Sequence, residues 1–163
     1  MGIGQLEAWV FLPFVVPICC YVAFTDMRAM RIPNASVLAL ACVFFVLGVF
    51  VLPFDAYLWR LAQLVIILVA GFFFSLARLM GEGDAKFIAA AAPYVALRDL
   101  GTLALLFSVI LLASYGAHFL AKRSALRRFV PDWASWTHAQ FPMGLALGST
   151  LAAYLIAGAL MGS

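Results

Sequence analysis

Residues 32–54 read IPNASVLALACVFFVLGVFVLPF, a run of 23 residues without a formal charge. A transmembrane α-helix needs about 20 predominantly apolar residues to cross the hydrocarbon core of a bilayer. This run therefore predicts a membrane-spanning helix, and it lacks the apolar–polar alternation of a membrane β-strand. Four more uncharged runs predict the same structure, and they cover residues 8–25, 61–77, 100–121 and 142–162.

The composition of the whole chain agrees with a membrane protein. Of its 163 residues, 67% are hydrophobic and 10% are charged, whereas soluble domains average roughly 45–50% apolar and about 25% charged residues. This balance excludes a cytosolic enzyme, a disulfide-stapled secreted domain and an ordinary nucleic-acid-binding protein. The net charge of +3 fits the accumulation of Lys and Arg in the cytoplasmic loops of membrane proteins.

Residues 87–97 form a shorter apolar run with Pro93 inside it. As a helix the run would be roughly 16 Å long, about half the hydrocarbon thickness, and the proline would kink it. We predict a short fourth helix here, extended at its start by residues 84–86. The predicted fold class is an all-α polytopic membrane protein, a bundle of six transmembrane helices with a short, kinked fourth helix. No linker or repeat divides the chain, so residues 1–163 are predicted to form one transmembrane domain.

The basic residues predict the orientation of this bundle. Eight of the ten Lys and Arg residues fall at loops one, three and five of the six-helix arrangement, and only Arg60 and Arg98 fall at loops two and four. Basic residues are enriched on the cytoplasmic side of membrane proteins. We therefore expect the three odd loops to be cytoplasmic and both termini to lie on the outer side.

Two carboxylates stand at predicted helix boundaries. Asp26 ends the first helix and Asp84 opens the fourth, so the predicted orientation puts both at the cytoplasmic edge of the membrane. Carboxylates at such positions are costly to ionise and are functional candidates. A close pair can share one proton, so that one member activates a water molecule while the other donates a hydrogen bond to an amide carbonyl. This chemistry needs no metal and no cofactor, and neither is predicted.

The neighbouring residues favour such a site. Gly81 and Gly83 permit close approaches and unusual backbone conformations, although they could merely end the third helix. Pro33 and Asn34 are predicted to start the second helix, with Asn34 as its cap. Other acidic residues are predicted to be loop residues, namely Asp55, Asp99 and Asp132.

Two charged residues beside Asp84 have more than one interpretation. Lys86 could lower the pKa of the aspartate pair or could be a snorkelling cation that sets topology. Glu82 could bind a basic part of a substrate or be a solvated loop acid. Because Asp84 lies at a helix N-terminus and Asp26 at a helix C-terminus, we expect Asp84 to be the more ionised member and Asp26 to hold the shared proton.

These residues together resemble a known family. Asp26 is followed after five residues by Ile-Pro-Asn, and Gly-x-Gly-Asp-x-Lys occurs at residues 81–86. The pair of motifs resembles the type IV prepilin peptidases, GxGD-type aspartic proteases of the bacterial inner membrane, and Phe-Pro-Met-Gly at residues 141–144 resembles the closing segment of that family. The resemblance implies catalytic roles for Asp26 and Asp84. It also implies a prepilin substrate with a short basic leader and a hydrophobic helix.

The chain departs from the longer members of that family. Cys19, Cys20 and Cys42 are its three cysteines and form no Cys-x-x-Cys motif, so we interpret them as small buried apolar residues. The chain therefore resembles the short, peptidase-only form associated with tight-adherence (Flp-type) pili, and methylation of the product is not expected.

Two alternative functions stay open on the sequence. A presenilin-like protease of transmembrane segments shares Gly-x-Gly-Asp but usually pairs it with Tyr-Asp, where this chain has Thr25-Asp26. A small proton-coupled transporter component would also use membrane carboxylates, although usually near the midplane and within an inverted repeat. The expected partners are the prepilin and the lipid bilayer, without nucleic acid, and homo-oligomer formation is left open.

Overall fold

The computed structural model describes residues 1–124, 126–138 and 140–162. The helices are α1 Gln5–Ala29, α2 Asn34–Val51, α3 Phe54–Leu76, α4 Glu82–Ala91, α5 Leu100–Arg123, α6 Leu126–Phe129 and α7 Met143–Met161. Three 3₁₀ turns cover Ala92–Tyr94, Leu97–Asp99 and Ala134–Trp136. Within the described part of the chain no residue belongs to a strand, which confirms the all-α prediction.

Five helical segments of the described chain are long and apolar enough to cross a membrane. They are α1, α2, α3, the segment Leu97–Arg123 and α7. The polytopic class is thus confirmed, while the predicted number of six complete spans is not. The helix α4 has 10 residues and is therefore roughly 15 Å long, about half the hydrocarbon thickness.

The fourth helix is short, as predicted, and its start lies close to the predicted one, but its end differs from the prediction. It begins at Glu82, before the apolar run, where acidic side chains are favoured by the helix N-terminus. It ends at Ala91, and Pro93 lies in the following 3₁₀ turn. Val95 then has an extended backbone. Proline lacks the N–H that would continue the helix, so the chain leaves the helix at this point instead of kinking and continuing.

The helices pack with α1 at the centre. It contacts α2 and α7, while α4 lies between α2 and α3. A buried aromatic cluster joins α1, α2 and the 3₁₀ turn after α4, with the Phe11 ring centroid 5.7 Å from that of Phe44 and 4.9 Å from that of Tyr94. Because successive long helices run in opposite directions, the end of α1, the end of α3 and the starts of α4 and α7 meet at one end of the bundle.

A glycine allows α1 and α7 to pack closely. A Cβ on Gly148 would lie 2.8 Å from the carbonyl oxygen of Cys19, and small residues commonly allow such close contact between membrane helices. Of the three cysteines, Cys19 is buried, while Cys20 and Cys42 are exposed on the outside of the bundle. The interpretation of all three as buried residues is wrong for these two.

The opposite end of the bundle contains a buried polar network. Asp99 is 5% exposed and accepts hydrogen bonds from the backbone N–H of Gly2 at 2.7 Å, from that of Ile3 at 3.2 Å and from the Tyr154 hydroxyl at 2.7 Å. The interpretation of Asp99 as a loop acid is therefore wrong. Composition alone does not reveal that the residues before α1 fold back and supply these donors.

Arg60 is part of the same end of the bundle and is also buried. Its guanidinium lies 3.4 Å from the Glu7 carboxylate and donates a 2.8 Å hydrogen bond to the Pro93 carbonyl. This side chain therefore joins α3 to α1 and to the turn after α4. The structure gives it a packing role beyond its contribution to the charge balance of the loops.

Arg60→Leu is expected to destabilise the protein by about 3–5 kcal/mol, because it leaves the Glu7 carboxylate buried without its partner. Thermal unfolding of the purified protein in detergent measures this effect. Arg98→Leu is the matched control, since Arg98 is exposed near the same end of the bundle. Equal unfolding temperatures for the two variants would contradict the structural role of Arg60.

Candidate active site

A cavity of about 390 Å³ opens at the end of the bundle where α4 and α7 begin. Asp26 from the last turns of α1 and Asp84 from the first turn of α4 both line it. The structure thus brings together the two carboxylates that the sequence singles out, although they belong to different helices. Asn34, Gly81 and Gly83 line the same cavity.

Asp26 is held by the start of α7. Its Oδ2 accepts a 2.6 Å hydrogen bond from the backbone N–H of Gly144, and the residue is only 6% exposed. The first N–H groups of a helix have no partner within the helix and carry its positive dipole end. The α7 N-terminus therefore orients the Asp26 carboxylate and offsets part of the cost of burying it.

The contact with Asp26 requires a residue without a side chain at position 144. A Cβ at this position would lie 2.9 Å from the Asp26 Cβ and 3.0 Å from its Oδ2. Ordinary carbon contacts are about 3.5–4.0 Å, so any side chain here would displace the carboxylate. The sequence suggests Gly144 only as part of a closing motif, and its contact with Asp26 is not predictable from that motif.

Gly81 and Gly83 let neighbouring side chains lie close to the backbone, because neither residue has a Cβ. A Cβ on Gly81 would lie 2.8 Å from Asp84 Oδ2, and one on Gly83 would lie 3.3 Å from the Ile32 Cβ. The backbone of Gly81 is extended, with φ −63°. The alternative that these glycines end the third helix is wrong, because α3 ends at Leu76 and the left-handed conformation is adopted by Arg78, with φ 59°.

The start of α2 also differs from the prediction. Pro33 occupies the capping position with φ −65°, and α2 begins at Asn34. The prediction that Asn34 caps this helix is therefore wrong. The fixed φ of proline sets the direction in which the chain enters α2, and this leaves Asn34 on the wall of the cavity.

Asp84 lies outside the five long helices, and its environment raises its pKa to about 6. Burial of the carboxyl is the larger cause, and the negative charge of Asp26 is the second. A raised pKa favours the protonated form of Asp84, whereas the expectation from the sequence favoured its ionised form, and the order of protonation within the pair stays a prediction. That expectation considered only the helix to which each aspartate belongs and missed the N–H group that α7 contributes to Asp26.

Lys86 pairs with Glu82 on the exposed side of α4. The two side chains form an ion pair one helical turn apart, and this contact lowers the pKa of Glu82. Burial and the charge of Asp26, not Lys86, determine the direction of the Asp84 shift. The interpretation that Lys86 lowers the pKa of the pair is thus not supported. Glu82 lies at the mouth of the cavity, 74% exposed.

An aromatic cluster fixes the segment that leads into α7. The His118 ring stacks on Trp136 at 5.2 Å and meets the Phe141 ring edge-on at 5.8 Å. Tyr115, from the same helix as His118, also packs against Phe141, at 5.7 Å. Phe141 itself lines the cavity. The cluster therefore anchors the start of α7 against α5, and with it the N–H group that binds Asp26.

Comparison with known proteins supplies the family. A sequence model of the type IV leader peptidase family matches residues 13–117, a range that contains both Asp26 and Asp84. No curated protein and no solved structure matches the chain. Since the matched range covers more than half of the sequence and the chain contains several membrane-spanning helices, this multi-pass membrane protein is a peptidase that belongs to the type IV leader peptidase family.

Proposed function

We propose that this protein is an aspartic endopeptidase that removes the short basic leader from type IV prepilins of the Flp-like class, with Asp26 and Asp84 as its catalytic pair. The observation that carries the proposal is their placement in one cavity at one end of the bundle. Two carboxylates of unequal proton affinity at the same site are the arrangement that aspartic proteases use.

The geometry supports a direct attack of water on the scissile amide. Ionised Asp26 takes a proton from the water molecule, whose oxygen bonds to the carbonyl carbon, while protonated Asp84 donates its proton toward the carbonyl oxygen. The product is a gem-diol. Its collapse breaks the C–N bond as the proton gained by Asp26 passes to the leaving nitrogen, and one gem-diol hydroxyl returns a proton to Asp84 as the carbonyl reforms. One proton is thus shared by the pair before and after each turnover.

The position of the cavity supports cleavage at a membrane surface. The helices α1, α3 and α5 all finish at this end of the bundle, with basic residues near their ends, among them Arg28, Arg78 and Arg123. The positive-inside rule assigns this end to the cytoplasm. We therefore place the protein in the bacterial inner membrane as a single domain, with both termini on the outer side.

The proposed substrate fits the charges at the mouth of the cavity. The exposed Glu82 presents a carboxylate there, paired with Lys86 and on the same cavity wall as Arg31, and a basic residue of the leader could replace Lys86 as its partner. Glu82 is accordingly proposed as a leader-binding residue, while Gly81, Gly83 and Pro33 keep the catalytic segments in place. The chain carries no Cys-x-x-Cys motif, and we propose peptidase activity without methylation.

The test of this function is the identity of the cleaved bond. Purified protein in detergent is incubated with a prepilin precursor, and the products are analysed by mass spectrometry. A single cut between the leader and the apolar helix is the expected result. An uncut precursor would remove the leader peptidase assignment, and a cut within the apolar helix would replace it by the presenilin-like alternative.

The pH dependence of cleavage follows from the raised pKa of Asp84. Below about pH 6 Asp84 keeps the proton that it donates, and above it both carboxylates become ionised. We therefore expect kcat/KM to fall as the pH rises through about 6, with an apparent pKa that belongs to the pair. Thermal unfolding over the same range controls for loss of structure, and a kcat/KM that stays level well above this pH would contradict the assigned proton donor.

A further inference from the structure

A second cavity lies next to the catalytic one, in a groove between α3 and α4. Its volume is about 420 Å³. One wall is formed by Leu68, Phe72 and Leu76, which are spaced four residues apart on α3 and are 43%, 64% and 70% exposed. Residues at this spacing share one face of a helix. Because α3 is a membrane-spanning helix, this apolar face of the groove is open to the hydrocarbon of the bilayer.

The floor of the groove consists of small residues, Gly71 and Ser75 from α3 and Ala85 from α4. A Cβ on Gly71 would lie 3.1 Å from the Cβ of Ala85, so the two helices touch along this line. Small residues one turn apart allow another helix to approach closely in a membrane. The groove from Leu68 to Leu76 is about 12 Å long at 1.5 Å per residue, enough for about two turns of a helix.

The groove is continuous with the catalytic cavity. Glu82 and Lys86 line both, so the first turn of α4 separates an apolar groove on one side from the aspartate pair on the other. A chain that lies in the groove reaches Asp84 by passing this single turn. The junction also carries a change in chemistry, from apolar side chains in the groove to the Glu82–Lys86 ion pair and Asp84 at the cavity.

We infer that the α3–α4 groove is the docking site for the apolar helix of the substrate, an inference that rests on the proposed leader peptidase function. A precursor with a basic segment followed by an apolar helix matches the two cavities in order. Its basic segment meets Glu82 at the mouth of the cavity, its scissile bond lies at Asp84, and its apolar helix packs on Phe72 and the small residues of the floor.

The first experiment separates docking from catalysis by using two substrates. One is the full precursor, and the other is a water-soluble peptide that spans the same junction and ends before the apolar helix. Ser75→Trp fills the groove and is expected to raise KM for the full precursor by about tenfold while leaving kcat/KM for the peptide within about twofold. Ser108→Trp, on the exposed face of α5, is the matched control and should change neither.

The second experiment detects the contact directly. A photo-crosslinking amino acid replaces Phe72 or, as control, the exposed Leu112 of α5, in an Asp84→Asn background that keeps the precursor intact. We expect adducts with the precursor from position 72 and none from position 112. Adducts only with lipid or with a second copy of the protein would overturn the inference.

The outcomes distinguish this inference from the function on which it rests. If the aspartate variants keep cleaving, the proposed catalytic pair is wrong. If the aspartate variants stop cleaving but Ser75→Trp cleaves the precursor with the same KM as Ser108→Trp, the catalytic pair stands and only the docking inference is wrong. If Ser75→Trp lowers kcat/KM equally for the precursor and for the peptide, the docking inference is also wrong. The groove would then stabilise the fold of the catalytic site and would not bind the helix of the substrate.

Discussion

Asp84→Asn and Asp26→Asn are each expected to reduce the rate of leader cleavage by about 10³-fold, within the range that general acid–base groups contribute. Asparagine at position 84 keeps the shape of the side chain but lacks the acidic proton that the mechanism delivers to the carbonyl oxygen. At position 26 it accepts the Gly144 N–H as before but cannot take a proton from water. The two losses should not add in the double variant, because the carboxylates act as a unit.

The measurement is the single-turnover rate of precursor cleavage by purified protein in detergent. Asp55→Asn is the matched control, since Asp55 is exposed in the first turn of α3, and it should cleave as the unchanged protein does. Thermal unfolding shows whether each variant remains folded. A folded Asp26 or Asp84 variant that retains cleavage within about tenfold of the control would remove that residue from the catalytic pair.

Gly144→Ala is expected to reduce kcat by about 10²-fold, the size of effect that small displacements of catalytic groups produce. The added methyl carbon would lie 2.9 Å from the Asp26 Cβ, so the carboxylate must move away from the N–H that now donates to it at 2.6 Å. Because Gly144 positions Asp26, the loss should appear mainly in kcat, with little change in KM for the precursor.

Gly116→Ala provides the control for Gly144→Ala. Gly116 lies within α5, and a Cβ there would meet no other group within 4 Å. Both substitutions add the same methyl group to a membrane-spanning helix, so their difference isolates the contact with Asp26. Equal cleavage by the two variants would show that the hydrogen bond from α7 is not needed for catalysis.

The sequence predicts the elements that depend on local composition. A helix must satisfy its own backbone hydrogen bonds in a bilayer, so each long apolar run defines one span, as residues 32–54 do for α2. The aspartates could be placed at helix ends for the same reason, because charges interrupt the apolar runs. Alternating helix directions then bring Asp26 and Asp84 to one end of the bundle.

The sequence does not predict what depends on contacts between distant segments. Asp99 is a loop acid by composition but becomes buried because the Gly2 and Ile3 amides reach it. The orientation of the Asp26 carboxylate likewise depends on Gly144, which lies far from Asp26 in the chain and approaches it only through the packing of α7.

The contact between Asp26 and the start of α7 has a consequence for biogenesis. A nascent chain contains both carboxylates long before residue 144 leaves the ribosome, but the amide that orients Asp26 arrives only with α7. We therefore expect a chain truncated before α7 to insert its earlier helices into the bilayer but to leave the precursor uncut, because Asp26 would lack the amide that orients it.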